Sequence, residues 1–517
     1  MSIRLTGMVS GLDTDSLVQQ LVNVQKMRNK KVEDKKVTLE WTQDIWKTLN
    51  SKLYTFYREQ VSKVRLQGSY QNKKVSSSND KAIEARADSN APIGTHKIKV
   101  EQLASSQYIT SGKIEKDKAG VDINITNSTK IGDLVDLDQV DSAEINIGDK
   151  ELTISSETTI GDVIDTAKAA GLNANFDAVQ KRFFISSKES GVDNAFQISE
   201  SVSVKRVEGV DQRVSILDAL KLDTIDEDGI VAREDSQPSL STLVKAQDSK
   251  VIYNGAILHS DSNTLSANGL TFTLSANPDE EISITVANDS QATYDMIKDF
   301  IKGYNEILGE MNTRYNANTA RGYDPLTEEQ KETMSEKTIE KWENTIKDSL
   351  LRRDSTLSTL ISSFKTVMGT QVQVDGKNYS LSSFGIVTGD YTERGLLHIN
   401  GDKDDPTYAT NEDKLLKAIE EDPELVSKVF SELGKSLYDT MTKQMSSIPN
   451  VRSAMTFYND KLMSKQLTTY ERDIANLEKK LYELEEKYYN QFAKMETALS
   501  KLQSQTNYLY SMMGMGQ

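Results

Sequence analysis

The chain has no cysteine, so disulfides and thiolate metal sites are excluded. Histidine is scarce. His96, His259 and His398 each stand alone in polar strand or loop text, where a structural histidine is the plain reading. Nucleotide motifs are missing as well. Gly434-Lys435-Ser436 has the end of a phosphate loop, but Val429 stands where its first glycine is needed. Positive charge is in deficit, with 62 Lys and Arg against 78 Asp and Glu, a net charge of -16. That argues against a nucleic-acid partner, which calls for a basic face. No apolar run is long enough for a membrane span. Met1 to Val24 lacks the basic-then-apolar order of a cleavable secretory signal. If the protein is exported, the sequence predicts a route without one.

Calcium-loop patterns also fall short. Asp226-Glu227-Asp228-Gly229 comes nearest, but Thr224 and Asp235 occupy the first and last ligand positions. It reads as a solvated acidic turn, and Asp402, Asp404 and Asp405 read as a charged loop. No catalytic residue, metal site or cofactor is expected, and the chain reads as a non-enzyme. Trp41, Trp46 and Trp342 lie among apolar residues in helical text and read as packing residues.

What is present begins at the end of the chain. Apolar residues recur at Leu467, Tyr470, Ile474, Leu477, Leu481, Leu484, Tyr488, Phe492, Met495, Leu499 and Leu502, with charges on both flanks. The steps alternate three and four, with a single four-four step through Tyr488, the mark of a helical seam. At about 1.5 Å per residue the seam spans roughly 50 Å. So narrow a stripe cannot bury itself and needs a partner helix. A second, sparser stripe opens the chain, with Leu17, Leu21, Val24 and Val32 behind a cap at Asp13 or Thr14. It thickens from Trp41 to Val61, where the helix is expected to enter a core.

Between these ends the texture changes. From Val75 to about Val286 the pattern is mostly period two, bounded by turn residues. Thr129-Lys130-Ile131-Gly132-Asp133-Leu134 echoes Thr158-Thr159-Ile160-Gly161-Asp162-Val163, and the second copy opens a short helix. Asp211 to Pro238 reads as a loop-rich acidic edge. Helices are then expected over 292–314, 327–351, 356–368, 411–430 and 433–445, with a hairpin insert over 371–399.

Several stretches resemble the flagellar filament cap protein family. Gly7-Met8-Val9-Ser10-Gly11-Leu12-Asp13-Thr14-Asp15 and Leu17-Val18-Gln19-Gln20-Leu21 look like its opening motif. Val100-Glu101-Gln102-Leu103-Ala104 and Gly269-Leu270-Thr271-Phe272 resemble its first and last head strands. Tyr323-Asp324-Pro325-Leu326-Thr327 and Phe384-Gly385-Ile386 resemble its helical body. Phe492-Ala493-Lys494-Met495-Glu496 and Leu502-Gln503-Ser504-Gln505 are similar to its end.

The resemblance implies a multi-domain α+β fold, with terminal helices forming a coiled-coil leg, a helical-bundle body and an inserted β-rich head. The expected divisions are leg helix 1–40, body helix 41–74, head 75–112, an inserted outer head domain 113–246, head again 247–288, body 289–464 and leg helix 465–517. The implied function is a filament cap and assembly chaperone. It would be exported without a cleaved signal and sit outside the cell at the flagellum tip. It would form a ring-shaped homo-oligomer, often pentameric or hexameric in the family. The implied partners are other copies of itself, flagellin, hook–filament junction proteins and an export chaperone, and in some members host mucin. Two other readings are a tip adhesin acting through the head and another axial flagellar subunit. The residues expected to carry self-assembly are Leu17, Leu21 and Val24 with Leu467, Ile474, Leu477, Leu481, Leu484, Phe492, Met495, Leu499 and Leu502.

Overall fold

The computed structural model describes residues 11–512 apart from 139, 141, 142, 202, 208, 209 and 232–238. Gly7 to Ser10 of the opening motif, and Asp235, lie outside the described residues. The fold is multi-domain α+β, and the chain divides into two compact units. One runs to Tyr70 and resumes at Ser290; the other is Gln71–Asp289.

The first unit is helical. Its opening helix, Thr14–Phe56, continues through a π turn, Tyr57–Val61, into Ser62–Val64. Trp46, Leu49, Leu53 and Phe56 leave the paired region and join the core. There they meet Phe300, Tyr304 and Leu308 of helix Ser290–Tyr315, Phe364 of helix Ser355–Met368, and Phe430 and Leu437 of helix Pro423–Gln444. Phe56 stacks on Phe300 with centroids 5.9 Å apart. Helix Pro423–Gln444 packs on the segment Ser62–Val64 at Gly434, where a Cβ would stand 2.8 Å from the Arg65 amide nitrogen. Burying each of these large side chains contributes about 1.5–3 kcal/mol.

Three expectations are corrected in this unit. The stretch expected over 327–351 is two helices, Glu328–Glu332 and Glu336–Ser349, because the Ser335 hydroxyl accepts the Thr338 N–H and starts a new helix. The stretch over 411–445 divides instead at Pro423, which has no N–H to continue Lys414–Glu421; Asp422 caps the next helix by accepting the Leu425 N–H. The insert over 371–399 is two hairpins, Val372–Val374 with Lys377–Tyr379 and Ile386–Thr388 with Leu397–Ile399.

The second unit is β-rich and holds two cores. The inner core lies between a five-stranded sheet and a three-stranded one. The five-stranded sheet has Lys73–Ser77 next to Ile282–Asn288, then Gly94–Gln102, Ser249–Tyr253 and Ala256–Ser260. Alternate residues Ile98, Val100, Val251, Ile282 and Ile284 point inward, as a half-buried sheet requires. The outer core is built on helix Ile160–Ala169 and strands Asn173–Asp177 and Arg182–Ser186.

The two echoed segments lie side by side in the outer core. The Ile131 N–H donates to Thr158 O at 2.7 Å, and the Ile160 N–H donates to Thr129 O at 3.0 Å. Gly132 is required there, since a Cβ would lie 2.7 Å from Ser156 O.

The acidic edge expected from Asp211 to Pro238 is also corrected. It contains strand Val210–Val214 and the short helix Ile216–Ala219, and Leu217, Leu220, Leu222 and Ile225 enter the outer core. Glu200 anchors the short helix by accepting the Leu217 N–H at 2.9 Å and the Ser215 hydroxyl at 2.6 Å.

Candidate assembly site

The candidate site is built from the two ends of the first unit. Asp13 caps the opening helix, its carboxylate accepting the Ser16 N–H at 3.0 Å. The closing helix, Asp460–Met512, is likewise free of Gly and Pro. Asp460 ties its start to the preceding loop by accepting the Ser453 N–H at 2.7 Å. Burial pushes the Asp460 carboxyl up, but the hydrogen bonds from Ser453 outweigh it and hold its pKa below the usual value.

The two long helices pair antiparallel. Near the core Trp46 stacks on Tyr458 at 5.7 Å, and the Asn50 side-chain oxygen accepts the Phe457 N–H at 2.8 Å. Further out the Gln43 amide donates to the Ser464 hydroxyl at 3.4 Å, and the Lys36 ammonium lies 4.0 Å from the Glu471 carboxylate. Residue numbers fall along one helix as they rise along the other.

The closing helix carries its expected residues along this contact. Leu467, Ile474, Leu477, Leu481, Leu484, Phe492, Met495 and Leu499 are all half-buried. Leu502 is 58% exposed. The expected residues of the opening helix lie elsewhere. Leu17, Leu21 and Val24 are 36%, 45% and 54% exposed, while Thr14, Val18, Val22 and Asn29 are buried. The structure therefore does not bring Leu17, Leu21 and Val24 into the seam with the closing helix. A shift of one residue turns a helical face by about 100°, and the true face includes the polar Thr14 and Asn29, which a count of apolar residues passes over. The Asn29 Oδ1 has no hydrogen-bond partner among the described residues. A polar seam residue of this kind fixes register at a cost in stability.

A third segment covers part of the opening helix. Lys30 donates to Pro325 O at 3.1 Å while pairing with Asp34 at 3.0 Å, and the Lys347 ammonium sits 4.7 Å above the Trp41 ring. Trp342 is half-buried and donates its indole N–H to Asp324 O at 2.9 Å. Of the three tryptophans only Trp46 is a fully buried core residue.

His96 is buried, with one ring nitrogen 2.8 Å from the Tyr253 hydroxyl and the other 3.1 Å from Pro92 O. His398 is not isolated: Asp405 lies 2.5 Å from its Nδ1, Glu393 lies 3.0 Å from its Nε2, and its ring stacks on Tyr408. Both carboxylates lie within a few residues of His398 in sequence, but only the folding of the loop points them at one ring. Among the described residues no group of His, Asp and Glu is arranged to hold a metal. Asp226 uses its carboxylate to accept the Asp228 and Gly229 N–H groups, which makes an ordinary acidic turn. No helix of the described residues is long and apolar enough to cross a membrane.

Comparison with known proteins matches both ends of this arrangement. A family model described as the C-terminus of flagellar hook-associated protein 2 matches residues 246–504, and the corresponding N-terminal model matches residues 10–107. The chain is 26% identical over 463 residues to flagellar hook-associated protein 2 of Halalkalibacterium halodurans, covering 86% of this chain and 81% of that one. It is 27% identical over 337 residues to the A-type flagellar hook-associated protein 2 of Pseudomonas aeruginosa, covering 60% of this chain and 62% of that one. A crystal structure of the D1-D2-D3 domains of the flagellar cap protein FliD from Escherichia coli aligns with a TM-score of 0.48 and 19% identity, over 77% of this chain and 97% of that one.

Proposed function

The chain belongs to the flagellar hook-associated protein 2 family, and on that premise we propose that it caps the flagellar filament. In this reading several copies assemble into a ring at the filament tip, outside the cell. The ring retains exported flagellin and promotes its polymerisation. The observation that carries the assembly step is the closing helix. It has a long apolar seam, and a single partner helix leaves that seam only half covered. A second copy of the chain would bury it further.

Two experiments test this reading. A strain lacking the protein is expected to shed unpolymerised flagellin and make no long filaments; normal filaments would overturn the cap role. Protein truncated at Leu467 is expected to sediment as a folded monomer while the full chain sediments as an oligomer. An unchanged oligomer would remove the terminal helices from assembly.

A second reading, adhesion to host mucin or glycans, draws on one observation. Tyr108 and Phe184 are exposed on the outer face of one sheet, near Lys168 and Lys188. Substituting both aromatics with alanine is expected to abolish mucin binding without changing filament assembly.

A further inference from the structure

Each long helix carries a second stripe beside its seam. On the opening helix Leu17, Leu21, Val24, Arg28, Lys31 and Lys35 follow one another in steps of four and three, and all are exposed. This stripe sits one residue behind the buried positions Val18 and Val22. It is apolar toward the helix start and basic further on. Arg28, Lys31 and Lys35 make no ion pair among the described residues. On the closing helix Glu471, Ala475, Glu478, Tyr482, Glu485 and Tyr489 repeat with the same spacing. This stripe sits one residue ahead of the seam residues Ile474, Leu477, Leu481 and Leu484. It is acidic and aromatic, and Tyr482 is 65% exposed.

The handedness of the helix fixes where these stripes face. One residue is about 100° of rotation. In an antiparallel pair, a stripe one residue behind the seam on one helix and a stripe one residue ahead on the other lie on opposite sides of the pair. The opening helix thus contributes a basic, apolar stripe to one side of the pair, and the closing helix an acidic, aromatic stripe to the other. A single continuous helix pair cannot bring these two sides together, but two copies can. Contacts of this heterologous kind propagate head to tail and close into a ring when the rotation permits.

The stripes also match in height. Carrying the Gln43–Ser464 and Lys36–Glu471 register outward sets Lys35 level with Glu471 to within a residue. By the same count Arg28 is level with Glu478, Val24 with Tyr482, and Leu17 with Tyr489. In a ring whose axis runs along the helix pair, cyclic symmetry places the copies at one height, so these level positions are the ones that meet. Opposite charges coincide at two levels, and aliphatic meets aromatic at two more.

We infer that neighbouring copies pack their terminal helix pairs side by side, with the Leu17–Lys35 stripe of one on the Glu471–Tyr489 stripe of the next. The inference rests on the reading that the chain self-assembles, and it names the surface and partner for that step.

The absence of cysteine gives a clean test on the full-length chain. Under mild oxidation a mixture of Val24→Cys and Tyr482→Cys copies is expected to give cross-linked dimers, while either variant alone gives none. Arg28→Glu is expected to weaken association about tenfold, and Glu478→Arg in the same chain to restore it. If the wild type sediments as an oligomer but the mixture does not cross-link, or the charge reversal changes nothing, this interface is overturned and the cap reading stands. Dimers from a single variant alone would also overturn it, because they would report like faces meeting. If the wild type sediments as a monomer, the assembly reading fails together with the interface.

Discussion

Helices Pro423–Gln444 and Asp460–Met512 carry the same kind of amphipathic stripe, yet they do opposite work. The shorter one buries Val426, Val429, Phe430, Leu433, Leu437 and Met441 in a core contributed by several elements. The longer one has a single buried residue, Glu496, and an otherwise half-wet seam. Helical periodicity specifies a face; the number of elements that cover the face decides its energy. A helix surrounded by others stabilises the monomer. A helix with one neighbour leaves part of its apolar stripe uncovered.

Substitutions on the two helices should separate these roles. Phe430→Ala is expected to have the largest effect, destabilising the monomer by about 3–5 kcal/mol in urea unfolding. A loss below about 1 kcal/mol would place the body core elsewhere.

Glu310 lies where the opening helix meets the body. Its carboxylate binds Lys52 at 2.7 Å and Arg314 at 2.9 Å. Burial pushes the carboxyl up, but these cations outweigh it and its pKa is lowered. A lowered folded pKa gives stability that is present above the ordinary carboxylate range and lost as pH falls through the folded value. Glu310→Gln is therefore expected to cost about 1–3 kcal/mol above roughly pH 5. The difference should shrink as pH falls below the ordinary carboxylate range and through the lowered folded value. Equal losses above and below that range would show that the carboxylate's charge contributes nothing.

On the closing helix Leu477→Ala is expected to cost the monomer less than about 1 kcal/mol, because the side chain is already half in water. Its larger effect should appear in the oligomer's dissociation on dilution. A monomer loss comparable to that of Phe430→Ala would erase the distinction between the two helices. The smallest effect is expected at Tyr304, which is fully buried with no partner for its hydroxyl among the described residues. Tyr304→Phe should be neutral or stabilise by up to about 1 kcal/mol in the same unfolding assay.

Much of the plan is legible from residues alone. Period-two text marks the β-rich unit, and three-four steps mark the closing helix. The opening helix shows the limit: Leu17, Leu21 and Val24 are the apolar residues that stand out, yet the buried face runs through Thr14, Val18, Val22 and Asn29. Hydrophobicity ranks residues, whereas a seam is chosen by geometry with its partner, which one strand of text does not contain. The helix expected over 411–430 runs through Pro423, although its missing N–H marks a break. Strand Val210–Val214 was not readable, because three polar residues between two valines give no apolar alternation to read. The echo at Ile131 and Ile160 was visible as repetition, but its reciprocal hydrogen bonds depend on how the outer core folds.

The way the chain enters and leaves the β-rich unit has a consequence for change over time. Its first strand, Lys73–Ser77, pairs with its last, Ile282–Asn288, and just beyond them the Asp289 N–H donates to Asn72 O at 2.8 Å. Entry and exit are held side by side by this ladder, at the edge of the five-stranded sheet. Segments inside can lengthen, shrink or be exchanged while the two ends stay in place. The unit is in effect a cassette, free to vary with whatever it meets while the terminal helices keep their alignment.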